Sequence, residues 1–67
     1  MIISDFVEWE LDKFRNECNF TNDELEFFNY RAKNISIERT AEMMNVSIGK
    51  ANKLSQKVKS KILKILK

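Results

Sequence analysis

The stretch from 36 to 58, SIERTAEMMNVSIGKANKLSQKV, constrains this chain more than any other. It predicts a short helix, a tight three-residue turn and a longer basic helix. Ser36 is placed to cap the short helix, expected over 37–44, with Ile37, Ala41 and Met44 turned inward. Asn45 tolerates a left-handed backbone and suits the turn. Val46 should point back into the core, and Ser47 should cap the next helix. From there Ala51, Leu54, Val58, Ile62 and Ile65 recur at spacings of 3, 4, 4 and 3. That is the period of one helix face, and it predicts a helix over 48–66. Lys50, Lys53, Lys57, Lys61 and Lys64 fall on the opposite faces, with Lys59 to the side and Lys67 at the end.

The rest of the chain is helical in pattern too. There is no proline, and Gly49 is the only glycine. Strand alternation is weak throughout, so an all-α domain of four helices is expected. The first helix should span 5–17, capped by Ser4, with Val7, Leu11, Phe14 and Cys18 on one face and Phe6 and Trp9 beside it. Its other positions are mostly acidic. Thr21-Asn22-Asp23-Glu24 is a capping box that starts the second helix, with Phe20 and Leu25 as a hydrophobic staple. Leu25, Phe28, Ala32 and Ile35 should form its buried stripe, flanked by Phe27 and Tyr30. It should stop near Lys33, with Asn34 as a left-handed cap. Residues 1–19 therefore read as an acidic helix packed on the core or at an interface, and 20–67 as the main unit of one small domain.

Size and residue types limit the chemistry. A chain of 67 residues buries only about 60% of the surface its unfolded form exposes, which leaves little room for a water-excluding pocket. The single cysteine, Cys18, cannot form an intramolecular disulfide and is expected to be a buried small hydrophobe. There is no histidine, so the usual zinc sets and histidine base catalysis are absent. Glu38 and Glu42, one helical turn apart, read as a solvated edge. No enzyme activity, cofactor or metal is expected. The N-terminus lacks the pattern of a signal peptide, and no apolar run reaches the ~20 residues of a spanning helix. A cytoplasmic protein without a membrane partner is expected.

Charge is unevenly distributed. Residues 1–30 carry eight acids and two bases, and residues 31–67 carry ten bases and two acids. The halves are thus −6 and +8 within a net charge of +2. Two explanations fit: the basic half faces a polyanion, or the halves pair with each other. The first is preferred because the bases concentrate after the turn.

The 36–58 stretch meets the needs of a DNA-binding helix-turn-helix. Ala41 is small where two helices cross, Asn45 makes the turn, Val46 fills the corner, Ser47 caps, and Ala51 and Leu54 face inward. Thr40, where an aliphatic is usual, and the small Ala51 predict looser packing. From Phe20 to about Ile65 the chain resembles the helix-turn-helix domain shared by LuxR/GerE-type regulators and region 4 of bacterial sigma factors. The resemblance lies in residues 20–28, 32–36 and 41–47, and in the spacing of Ala51, Leu54, Val58 and Ile62. It implies that the helix beginning at Ser47 enters the major groove.

With Ala51, Leu54 and Val58 inward, the outward arc holds Ile48, Gly49, Asn52, Lys53 and Gln56 as candidate base contacts. Arg31, Lys33, Ser36, Arg39, Ser47, Lys50 and Lys57 are candidate phosphate contacts. The more distal lysines are expected to lie beyond the DNA. Phe6, Trp9, Val58, Ile62, Leu63 and Leu66 are candidates for a subunit interface. The expected partner is double-stranded DNA, bound by a homodimer in transcriptional regulation. The alternative is a protein-interaction module that binds RNA polymerase or a sigma factor.

Overall fold

Three asparagines end the first three helices. Asn19 follows α1 (Glu8–Glu17), Asn34 follows α2 (Asn22–Ala32), and Asn45 follows α3 (Ile37–Met44). Their φ angles are 54°, 62° and 58°, all left-handed. A left-handed backbone costs most L-residues about 1–2 kcal/mol, and asparagine is among the few that visit it routinely. Each helix is thereby stopped without a glycine. A fourth helix, α4 (Ile48–Leu66), completes the fold. The structure is a computed structural model and describes residues 2–66. Lys67, expected at the end of the last helix, lies outside the described residues.

The expected all-α class holds, with helices as the only regular elements among the described residues. α4 packs against α1, α2 and α3, and α2 also packs against α3. Nineteen residues of helix run about 28 Å, which accounts for the molecule's longest extent of 30 Å. Ala51, Leu54, Val58 and Ile62 are buried along α4, and Ile65 packs against the same core. No helix among the described residues is long and apolar enough to cross a membrane.

The N-terminus differs from expectation. Ile3–Asp5 form one 3₁₀ turn against α2, and the first α-helix begins only at Glu8. Ser4 does not cap it; its hydroxyl donates to Asn34 Oδ1 at 3.4 Å. The position before the helix is Val7, whose side chain has no acceptor. Glu10 closes the end alone, its carboxylate accepting from the Val7 amide at 3.1 Å. The extra turn carries Ile3 into the core and leaves Val7 53% exposed.

The second helix is rotated from the expected stripe. Phe27 and Phe28 are fully buried, whereas Leu25, Ala32 and Ile35 are half-buried. Two adjacent phenylalanines bury more apolar area than a leucine and an alanine, so the inward arc centres on them. Phe28 lies 6.4 Å from the Phe14 ring, edge to face, and 5.1 Å from Phe20. Arg15 crosses the same ring at 5.5 Å and donates to Asn29 at 2.9 Å, tying α1 to α2.

Thr40 and Ala51 are fully enclosed. The Thr40 hydroxyl is buried with no hydrogen-bond partner among the described residues. Leaving such a group unpaired costs about 1–3 kcal/mol. Valine has nearly the same shape without the hydroxyl. Thr40→Val is therefore expected to stabilise the protein by about 1 kcal/mol, read as a higher urea midpoint at an unchanged slope. An unchanged or lower midpoint would show that the hydroxyl is satisfied in solution.

Candidate nucleic-acid interface

The corner between α3 and α4 is built by local hydrogen bonds. Ser36 Oγ accepts from the Arg39 amide at 3.1 Å and starts α3. At its end the Asn45 amide donates to the Glu42 carbonyl at 3.1 Å, and the Val46 amide donates to the Ala41 carbonyl at 3.0 Å. This pair of bonds is a Schellman motif closed by a left-handed asparagine. The same arrangement ends α2: Asn34 donates to the Arg31 carbonyl at 3.0 Å and Ile35 to the Tyr30 carbonyl at 3.2 Å. Ser47 Oγ then accepts from the Lys50 amide at 3.1 Å and starts α4. Val46 packs against the core and pins the corner.

That corner aims the first turns of α4 outward. Ile48, Gly49, Asn52, Lys53 and Gln56 are all exposed, and Lys50 and Lys57 flank them, also exposed. Gly49 has no structural need to be glycine. Its φ is not positive, and an added Cβ would meet nothing nearer than Ser47 Oγ at 3.9 Å.

The remaining phosphate candidates are of two kinds. Lys33 and Arg39 are exposed, and Arg39 stands 3.9 Å from Glu42 in a loose pair. The Arg31 guanidinium is half-buried and donates to the Ile35 carbonyl, bracing the link between α2 and α3. The hydroxyls of Ser36 and Ser47 already serve as helix caps.

Lys61 corrects the expected pattern. It does not extend the outward lysine face. It is half-buried, pairs with the Glu24 carboxylate, and donates to the Asn19 carbonyl at 3.2 Å. Glu24 is only 4% exposed, an acid inside the core margin. Its Oε1 also accepts from the Thr21 amide at 3.0 Å, while Thr21 Oγ1 accepts from the Glu24 amide at 3.2 Å. Burial pushes the carboxyl upward. The Lys61 hydrogen bond, the Thr21 amide and the charges of Lys61 and Lys57 outweigh it, and its pKa ends below the usual glutamate value. The capping box made Glu24 legible as a cap, but nothing in the local pattern announced a partner 37 positions away.

The acidic and basic halves therefore meet in one ion pair among the described residues, Glu24 with Lys61. The other two pairs, Arg15 with Asp12 and Arg39 with Glu42, are local. Lys50, Lys53, Lys57 and Lys64 are exposed and have no ion pair among the described residues. Glu38 and Glu42 are also exposed, and no group of three or more metal-ligating side chains gathers among the described residues. Cys18 is buried. Burial and the neighbouring Glu17 raise its thiol pKa, with Lys61 opposing, so the reactive thiolate is disfavoured.

The interface candidates divide sharply. Val58 and Ile62 are fully buried inside the chain and offer no surface to a partner, because both lie on the α4 stripe that faces the core. Phe6 is half-buried, its ring edge-on to Phe14 at 4.9 Å. Trp9 is 68% exposed, and Leu63 and Leu66 are each 52% exposed. No protein-family model, curated protein or solved structure gives a significant match to this chain.

Proposed function

We propose that this protein binds double-stranded DNA sequence-specifically, as a small transcriptional regulator with a helix-turn-helix formed by α3 and α4. The N-terminal turns of α4 enter the major groove, where the side-chain amides of Asn52 and Gln56 address adenine N6 and N7 and Lys53 addresses guanine. Ile48 meets a thymine methyl. Lys50, Lys57, Lys33 and Arg39 hold phosphates, together with the helix N-termini capped by Ser36 and Ser47. The LuxR/GerE-type and sigma region 4 resemblance belongs to this proposal.

Gly49 is the observation that carries it. A glycine in an exposed helix costs up to about 1 kcal/mol of helix propensity, somewhat less near an N-terminus. Nothing in the fold requires one here. A close approach by a partner surface does. Gly49→Ala is expected to raise stability by a few tenths of a kcal/mol. The added methyl is expected to weaken DNA binding by about 1–3 kcal/mol through overpacking, five- to more than a hundredfold in affinity. A thermal melt and a binding titration read the two effects. Unchanged DNA affinity would remove the main support for groove insertion.

The direct test is a salt titration on random and selected duplexes. Specific binding is expected to exceed non-specific binding by on the order of a thousandfold. Charge-neutralising Lys50 or Lys57 is expected to lower the slope of log affinity against log salt by about 0.9 each. Equal affinity for all duplexes would overturn sequence specificity, and unchanged slopes would overturn the phosphate assignments. One such domain makes few contacts, so we also propose a homodimer on two half-sites, using Leu63 and Leu66. A monomer by sedimentation, free and on its operator, would overturn that part.

The exposure of Trp9 on the acidic α1 favours one second reading. Tryptophan is enriched among interface anchors, and a protein partner such as RNA polymerase or a sigma factor would then dock on α1. In that case Trp9→Ala abolishes the partner's binding and leaves DNA affinity unchanged.

A further inference from the structure

We propose that α4 lies lengthwise along the duplex, and that Lys57, Ser60 and Lys64 form a second phosphate-binding track beyond the base-facing turns. This rests on the DNA-binding reading and extends it from Lys57, already assigned to phosphate, to Ser60 and Lys64, in the distal part of the helix whose lysines sequence alone placed beyond the DNA.

The first support is the pattern of charge. α4 contains no acidic residue in nineteen positions. Its lysines at 50, 53, 57, 61 and 64 repeat at spacings of 3, 4, 4 and 3, so like charges sit one turn apart along a single stripe. Like-charge pairs at that spacing destabilise a helix, and solvated helix faces commonly offset them with acids one turn away. Here only Lys61 is offset, by Glu24 from another helix. The other four form no ion pair among the described residues, although the Glu24 charge also acts on Lys57, and such a stripe suits a polyanion.

The second support is direction. At about 100° per residue, Gly49, Lys53, Gln56, Lys57, Ser60 and Lys64 share one outward arc. A straight helix that presents Gly49 and Gln56 to a groove presents Ser60 and Lys64 along the same line. Lys57 and Lys64 are about 10 Å apart along the axis. Beside them is an open groove of about 410 Å³, lined by Glu24, Gln56, Lys57, Ser60, Lys61 and Lys64. Its one carboxylate is already neutralised by Lys61, so a phosphate entering the groove meets lysines, a hydroxyl and an amide. Insertion of the helix by its tip alone would leave this whole stripe in water.

The test compares Lys64→Gln with Lys59→Gln by salt titration on one duplex. Both remove one positive charge from the same helix. Lys59 is half-buried and about 140° around the helix from Lys64. Far-UV circular dichroism and melting confirm that both variants fold. Lys64→Gln is expected to lower the salt slope by about 0.9 and the Lys57→Gln, Lys64→Gln double variant by about 1.8, with Lys59→Gln at the wild-type slope. If Lys64→Gln matches Lys59→Gln while the wild type binds with a salt-dependent affinity, the second track is wrong and DNA binding stands. If the wild type shows no salt-dependent duplex binding, the DNA reading falls and this inference with it.

Discussion

Glu24→Gln is expected to destabilise the fold by about 1.5–3 kcal/mol, the range for a hydrogen bond to a charged group, and to flatten its dependence on acid. The substitution is selective. Glutamine can still accept from the Thr21 amide, so the helix cap survives and the negative charge opposite Lys61 is what is lost. The sign of the pH effect follows from the direction of the shift. The Glu24 pKa is lowered on folding. Its contribution is therefore complete above the unfolded value, about 4.3 for glutamate, and is lost as pH falls through the lower folded value. The wild type should lose this stability only as pH falls below about 4.3, and the glutamine variant should not lose it a second time.

The partner variant sharpens the test. Lys61→Met leaves a buried carboxylate without its hydrogen-bonded counter-charge, which should destabilise more than Glu24→Gln at neutral pH. Burial is the largest single influence on Glu24 and acts upward. With Lys61 gone its folded pKa should rise, and the loss of stability in acid should shrink. Urea midpoints of the three proteins between neutral and acid pH measure all of this. Glu24→Gln within about 0.5 kcal/mol of wild type, the range of an ordinary surface change, with the same acid profile would dismiss the pair as a stabilising element.

Phe28→Ala is expected to unfold the protein at physiological temperature. Removing a buried phenylalanine costs about 3–5 kcal/mol. A domain of 67 residues has roughly 3–10 kcal/mol in total at about 0.05–0.15 kcal/mol per residue. Phe28 is also where three elements converge: Phe14 and Arg15 from α1, and Phe20 from the α1–α2 link, all meet its ring. Their loss would loosen α1 against α2. Phe28→Leu keeps most of the volume and should fold with a lowered melting temperature. Far-UV circular dichroism through a thermal melt distinguishes the two. A cooperative melt for the alanine variant near that of wild type would mean that the core closes around the cavity.

What could be read locally was read well, because the deciding interactions join residues three to five apart. The Thr21–Glu24 capping box, the serine caps at 36 and 47, and the left-handed Asn34 and Asn45 are each formed within one turn of chain. Asn19 uses the same left-handed backbone, but no strong pattern in the sequence marks the end of α1. The reach of α4 was legible for a similar reason: five apolar residues on one arc of a long helix leave only one way for it to face. The outward arc of the candidate site followed as its complement, and Ile48, Gly49, Asn52, Lys53 and Gln56 are indeed exposed.

Periodicity was weaker where a helix offered two apolar arcs. In α2 the expected stripe of Leu25, Phe28, Ala32 and Ile35 competes with an arc centred on Phe27 and Phe28; the latter is the buried one, with Phe28 packed against Phe14 and Phe20 and Leu25, Ala32 and Ile35 left half-buried. At the N-terminus, Val7 fits a helix face on paper, but the 3₁₀ turn delivers Ile3 to the core instead. The sequence by itself determined four helices, the caps of the last three, the left-handed stops of α2 and α3, and the two faces of α4. Those are matters of dihedral preference and of hydrogen bonds between near neighbours. Only the tertiary structure decided that Lys61 leaves the basic stripe for Glu24, that Thr40 is sealed without a partner among the described residues, and that Val58 and Ile62 are buried away from a second subunit. Each depends on which surface of another helix covers the residue, and no spacing along one helix carries that information.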